Sequence, residues 1–238
     1  MSASTRSHAD PARRDRAAER QRMVERQISS RGVSDPAVLQ ALGEVPREAF
    51  VAPEAVDYAY HDTPLPIAEG QTISQPYIVA VMAEAAEIGP ADRVLEVGTG
   101  SGYGAAVLGR IAEQVFTIER HPGLAASASA CFAELGYDHI EVRVGDGTLG
   151  WPEEAPFDAI VVTAGGPADP PPALLEQLAP GGRLVIPMGR DPTGQELVRI
   201  RRSDDGRDLV REGLGAVRFV PLIGEGGWEG EEPAPRHP

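Results

Sequence analysis

The sequence predicts an α/β fold, a doubly wound and mostly parallel sheet preceded by extra N-terminal helices, and three observations point to it. Val94, Leu95 and Val97 make a short apolar run that ends at Gly98, Gly100 and Gly102, glycines that let the backbone turn sharply and approach a ligand. Ala105, Ala106, Val107, Leu108 and Ile111 then follow as a helix. Further apolar runs over 115–119, 140–144 and 157–163 are separated by helical or turn segments, as in strands joined by crossover helices.

The bulk properties bound the answer. A chain of 238 residues with 42% hydrophobic content is long enough for one substantial core. We expect one domain over 13–223, with helices and an acceptor-side segment in 13–90 and a Rossmann-like core in 91–223. The stretches 1–12 and 224–238 read as tails, the first without periodicity and the second acidic. The formal net charge of −14 argues against a nucleic-acid partner, because tracking phosphates needs basic surface. All 22 basic residues are Arg, from which no function follows. A single cysteine, Cys131, excludes an intrachain disulfide framework and a multi-cysteine zinc site, and no metal is expected. No run of about 18 apolar residues exists, and Arg13, Arg14 and Arg16 stand where a signal peptide needs an apolar stretch. A cytoplasmic monomer without a membrane partner is the expectation.

Each element has a local reason. From Arg13 to Arg31 the spacing is helical, with Met23, Val24 and Ile28 on a modest apolar stripe, and Gly32 ends it. Ser34-Asp35-Pro36 reads as the start of a second helix carrying Val38, Leu39, Leu42 and Val45. The Pro-interrupted stretch with Phe50, Val51, Tyr58 and Tyr60 predicts little regular structure. Ile78, Val79, Val81, Met82 and Ala85 continue from Pro76 as an amphipathic helix, with Ser74 placed as its N-cap. After the glycine corner come a strand over Val115–Glu119, an Ala-rich helix over 124–135, and an alternating strand with Ile140, Val142 and Val144. Phe157–Thr163 is apolar almost throughout, as a central parallel strand buried on both faces should be. Leu184–Pro187, Gln195–Arg201 and Val217–Leu222 read as the remaining strands, with a turn at Asp204-Asp205-Gly206.

The chemistry-bearing residues lie at strand ends. Glu119 falls about 20 residues beyond the glycines, where an acid can accept both ribose hydroxyls of a nucleoside. Asp146, between Gly145 and Gly147, closes the next strand and can accept from an exocyclic adenine amine; an Asx turn is the bland alternative. Glu96 would repel a pyrophosphate but suits a cationic sulfonium, and the Gly98-x-Gly100-x-Gly102 spacing departs from G-x-G-x-x-G. An NAD-dependent dehydrogenase is thereby disfavoured and S-adenosylmethionine favoured. His61 and Asp62 are neighbours with a structural turn as the simpler reading. Cys131 lacks an activating base and reads as a small core residue.

Together with Pro64-Leu65-Pro66-Ile67, Gly70-Gln71-Thr72-Ile73-Ser74-Gln75-Pro76, Val94–Tyr103, Thr117-Ile118-Glu119-Arg120, Gly145-Asp146-Gly147 and Phe219-Val220-Pro221-Leu222, these features give the chain a resemblance to the protein-L-isoaspartate O-methyltransferases. It spans about residues 23 to 222, and its most specific element is the Gln-Thr-Ile-Ser-Gln-Pro string. The resemblance implies an S-adenosylmethionine-dependent methyltransferase fold. It implies methyl transfer to the α-carboxylate of L-isoaspartyl residues in damaged proteins, succinimide closure, and S-adenosylhomocysteine as product. It further implies that Thr72 and Ile73 lie over the cofactor and that Ser74 is the active-site residue. Gly98, Thr99, Gly100, Ser101 and Gly102 would hold the cofactor with Glu96, Glu119 would hold the ribose, and Asp146 with Gly147 would face the adenine.

A carboxylate acceptor is already ionised near neutral pH, so alignment and exclusion of water are the task, with no triad required. An acidic chain with an anionic acceptor is an awkward pairing. The expectation is that a helix N-terminus at Ser74 and backbone N–H groups offset it. Two alternatives stay open: a relative that methylates a normal Asp of one dedicated peptide, recruited through the acidic tail, and a non-catalytic S-adenosylmethionine-binding module.

Overall fold

A computed structural model describes residues 16–229. Of the expectations above, the 1–12 tail, the helix start at Arg13 and residues 230–238 lie outside the described residues. Three helices come before the sheet: α1 (Ala17–Met23), α2 (Pro36–Glu44) and α3 (Pro76–Ala86). The α1 helix runs on as a π-helical turn over Val24–Ile28, so Met23, Val24 and Ile28 are all buried on one side. Gly32 ends this stretch at φ 104°, in the left-handed region. The Asp35 carboxylate caps α2, accepting from the N–H groups of Ala37 and Val38 at 2.8 and 3.0 Å.

The stretch read as irregular holds two short 3₁₀ helices, Arg47–Phe50 and Pro53–Tyr58. What fixes it is Arg47, which is fully buried. Its Nε donates to the Ala59 carbonyl at 2.8 Å and its guanidinium lies 4.7 Å from the Tyr103 ring centroid. Burial pushes the Arg47 guanidinium down to about 10. One charged side chain thus ties the N-terminal layer to the ligand-facing corner of the sheet.

A two-stranded hairpin, β1 (Leu65–Pro66) with β2 (Thr72–Ile73), brings the segment before α3 over the main sheet. That sheet has seven strands: β3 (Arg93–Val97), β4 (Gln114–Glu119), β5 (Ile140–Val144), β6 (Phe157–Val162), β7 (Leu178–Gly189), β8 (Gln195–Arg202) and β9 (Leu209–Val217). Their order is β5-β4-β3-β6-β7-β8-β9, parallel from β5 to β7, with β8 antiparallel to both its neighbours. The winding reverses between β3 and β6, which makes the carboxyl ends of those two strands the switch point where a ligand sits.

Alternation along the central strands builds two cores. Val94, Val115, Ala159 and Val161 face the N-terminal layer, α4 (Tyr103–Leu108) and α5 (Pro122–Leu135). Leu95, Val97, Phe116, Ile118, Phe157, Ile160 and Val162 face the other side, with Leu174 of α6 (Pro172–Glu176). Phe116 and Phe157 meet edge to face there at 5.7 Å. This double burial explains why these strands read as continuous apolar runs.

Two expectations change. Val217–Leu222 is not a strand; the last strand is β9, which pairs with β8 across the Asp204-Asp205-Gly206 turn. As an exposed edge strand carrying Arg211, Glu212, Gly213 and Gly215, it has no buried face to write an apolar pattern. The C-terminal segment is folded back as far as it is described. Glu225 N–H donates to Asp146 Oδ2 at 2.7 Å, Gly226 N–H to Thr148 Oγ1 at 2.9 Å, and the Trp228 indole N–H to the Gly165 carbonyl at 2.7 Å.

Candidate active site

The carboxyl end of β3 and the N-terminus of α4 form the floor of the main cavity. Gly98 has φ 97°, and a Cβ there would overlap the Thr163 hydroxyl, which itself donates to the Gly98 carbonyl at 2.6 Å. Only glycine lets the end of β3 pass this close to the end of β6. Gly98, Thr99, Gly100 and Ser101 line the cavity together with Tyr103 and Gly104. Gly102 instead closes the turn, its N–H bonded to the Thr99 carbonyl at 2.8 Å, and packs against Phe132.

Glu119 is buried at the end of β4 and faces this cavity. One carboxylate oxygen accepts from Gly100 N–H at 2.8 Å and the other from His121 N–H at 2.9 Å. It therefore braces the glycine turn while keeping lone pairs for a ligand. Glu96 is fully buried beneath the turn, accepting from the Thr117 hydroxyl at 2.7 Å. Thr117 in turn contacts the Thr99 hydroxyl at 2.6 Å. A Cβ at Gly104 would collide with Glu96 Oε1, so that glycine is required for the acid to fit. Burial foremost, with the Glu119 charge adding to it and the Thr117 hydroxyl opposing, pushes Glu96 up to about 8. This biases the Glu96 carboxyl toward its protonated form.

Ser74 is not the cap of α3. The N-cap position is Gln75, and Asp62 does the capping by accepting from Tyr77 N–H at 3.1 Å and from the Gln75 amide at 2.7 Å. Asp62 also takes Arg31 at 2.5 Å, so the His61-Asp62 turn is structural. With the helix N-terminus already facing a carboxylate, the expected dipole contribution to acceptor binding is not available there. Ser74 is left without a hydrogen-bond partner among the described residues. It lines the main cavity beside Gln71, Thr72 and Ile73, and it also lines an adjoining groove with Gln75, Ile78 and residues 216–220. Thr72, Ser74, Thr163 and Val220 are the wall common to both.

Asp146 and Gly147 do not line the main cavity. Asp146 Oδ1 accepts from the Thr148 N–H and hydroxyl at 2.9 and 2.7 Å, and Oδ2 from Glu225 N–H. The Asx turn and the folded-back C-terminal segment occupy it. Sequence reasoning did not single out Thr163, Arg120 or Gly104, all of which line the cavity. Thr163 could have been found as the polar end of an apolar strand next to the switch point; Gly104 carries no signal of its own.

A sheet wound in this way, with an acid-bearing cavity at its switch point and a second groove that shares part of the wall, is an α/β methyltransferase fold. Comparison with known proteins makes it particular. Residues 18–227 match the family model for protein-L-isoaspartate(D-aspartate) O-methyltransferases. A protein-L-isoaspartate O-methyltransferase of Geotalea uraniireducens is 60% identical over 209 residues, covering 88% of this chain and 94% of the relative. That of Protochlamydia amoebophila is 56% identical over 208 residues, covering 87% and 98%. Among solved structures, a protein-L-isoaspartate O-methyltransferase superposes with a TM-score of 0.77 at 30% identity, over 87% of this chain and 67% of that one. A Plasmodium falciparum chain described by the same name, in complex with S-adenosyl-L-homocysteine, gives 0.73 at 26% identity over 86% and 98%. The chain belongs to the protein-L-isoaspartate O-methyltransferase family.

Proposed function

We propose that the chain transfers a methyl group to the α-carboxylate of L-isoaspartyl residues in damaged proteins, with Ser74 orienting the acceptor. The observation that carries this reading is the unpartnered Ser74 hydroxyl on the wall between the two cavities. The site fits S-adenosylmethionine: a backbone cradle at 98–101, a buried acid at Glu119 for the ribose, and a buried acid at Glu96 with no cation of its own. When bound, that cofactor supplies an electrophilic methyl group. The residues do the rest. Thr72 and Ile73 cover the cofactor side, the main chain of Gly98 to Gly102 gives close approach, and Glu119 accepts from the ribose hydroxyls. Asp146 and Gly147 remain the adenine end in this reading, with Asp146 Oδ2 shared with Glu225 N–H.

Ser74 donates to one oxygen of the acceptor carboxylate and leaves the other aimed through the shared wall. No proton has to be removed, since the acceptor is already an anion. The ester then closes to a succinimide without help from the chain. A cytoplasmic monomer completes the reading, and the net charge of −14 supports action on proteins rather than on nucleic acid. Among the described residues no helix is long and apolar enough to cross a membrane.

Two substitutions separate the roles. Glu119→Ala should weaken S-adenosylhomocysteine binding by about tenfold or more, measured by calorimetry. Ser74→Ala should lower kcat by a similar factor while binding the same ligand nearly as wild type does. Equal loss of ligand affinity in both would remove Ser74 from the acceptor and make it part of the cofactor cleft.

A further inference from the structure

The two cavities differ in their ionisable residues. Among the residues lining the main cavity, Glu96 and Glu119 are acids against the single base Arg120, whereas the adjoining groove has one charged residue, Arg218. Many described arginines in this acidic chain are engaged by carboxylates, as with Arg93 and Glu154, Arg143 and Glu153, or Arg183 and Asp92. Arg218 has no ion pair or hydrogen bond of its side chain among the described residues, and it is exposed.

The backbone that carries Arg218 is nevertheless held firmly. Gln195, buried at 5% exposure, donates from its amide to the Phe219 carbonyl at 3.1 Å and accepts from Phe219 N–H at 2.7 Å. One residue on, the Val220 carbonyl accepts from Gly165 N–H at 2.8 Å, and Leu222 N–H donates back to the Gly165 carbonyl at 2.9 Å. The backbone next to an unpaired cation is thus held firmly, and that cation lines the groove that Ser74 also lines. A guanidinium so placed is suited to a carboxylate. The helix N-terminus that would otherwise serve an anion is taken by Asp62.

We propose that Arg218 is a specificity-determining residue that binds the acceptor carboxylate in the groove. The inference rests on the isoaspartyl reading above. Arg218 and Ser74 hold the anion before transfer. Methylation removes its charge, so the ion pair is made with the substrate and lost with the ester product. Arg218 then contributes to substrate capture and to product release, and the groove's charge discriminates between them.

The test is steady-state methylation of an L-isoaspartyl peptide by wild type, Arg218→Gln, Arg218→Lys and the charge control Arg190→Gln, an exposed arginine outside both cavities. Arg218→Gln should raise KM for the peptide about tenfold, with kcat changed less than about threefold and S-adenosylhomocysteine affinity unchanged. Arg218→Lys should recover most of the loss. Added salt should raise the wild-type KM more than that of Arg218→Gln. Arg190→Gln should match wild type. An unchanged KM in Arg218→Gln, or an equal rise in Arg190→Gln, overturns the proposal in favour of no role or of overall charge. Failure of wild type to methylate the peptide at all would instead overturn the isoaspartyl reading on which the proposal stands.

Discussion

The proposed acceptor role of Ser74 depends on Asp62, which has taken over the capping of α3 and leaves the Ser74 hydroxyl without that task. A hydroxyl that satisfies no backbone group is available to a ligand. Glu96 makes a second residue-level point. Its folded-state value of about 8 lies above the ordinary carboxylate range, so the protonated form is favoured by folding. That contribution is complete below about pH 4.5 and is lost as pH rises through about 8, at up to about 1.4 kcal/mol per pH unit. The ligand-free wild type should therefore lose thermal stability between pH 5 and 9 more steeply than Glu96→Gln, with the gap levelling off beyond the upper end. Parallel curves would show that Glu96 ionises normally inside the fold. Of these residues, Glu119 was legible because strand-end acids have a fixed distance from a glycine corner. The true cap of α3 was not, since Asp62 reaches Gln75 across 13 residues of chain.

At the scale of elements, the segment from β1 to α3 is set by a few polar anchors. Asp62 ties Arg31, Gln75 and Tyr77 together, so it holds both the N-terminal layer and the start of α3. Asp62→Ala should cost about 1–2 kcal/mol in denaturant unfolding, as a lost cap does, and should lower kcat because Ser74 lies at this junction. A stability loss with kcat unaltered would mean that Ser74 is positioned by something else. The buried strands β3, β4 and β6 were readable because both their faces are apolar. Strand β9 was not, since an exposed edge selects for charge and glycine rather than for alternation. The segment 224–229 read as tail for the same reason: glycine-rich sequence without periodicity, yet held by backbone donors to Asp146 and Thr148 that composition does not reveal.

Across the whole molecule, the switch point between β3 and β6 places an acidic cleft for a cationic cofactor beside a groove whose one charge is positive. In the proposed reading, this segregation is what reconciles a −14 chain with an anionic acceptor. Net charge governs solubility and long-range steering, while local charge governs the site. It also weakens the case for a dedicated peptide recruited by a tail, because the first part of that tail is folded onto the sheet's ligand edge. The measurement that bears most directly on the account is transfer of labelled methyl from S-adenosylmethionine to an L-isoaspartyl peptide and to its normal aspartyl twin. The account predicts methylation of the isoaspartyl form, followed by succinimide, with the aspartyl twin unlabelled. Labelling of the aspartyl twin alone, or of neither peptide, would contradict it.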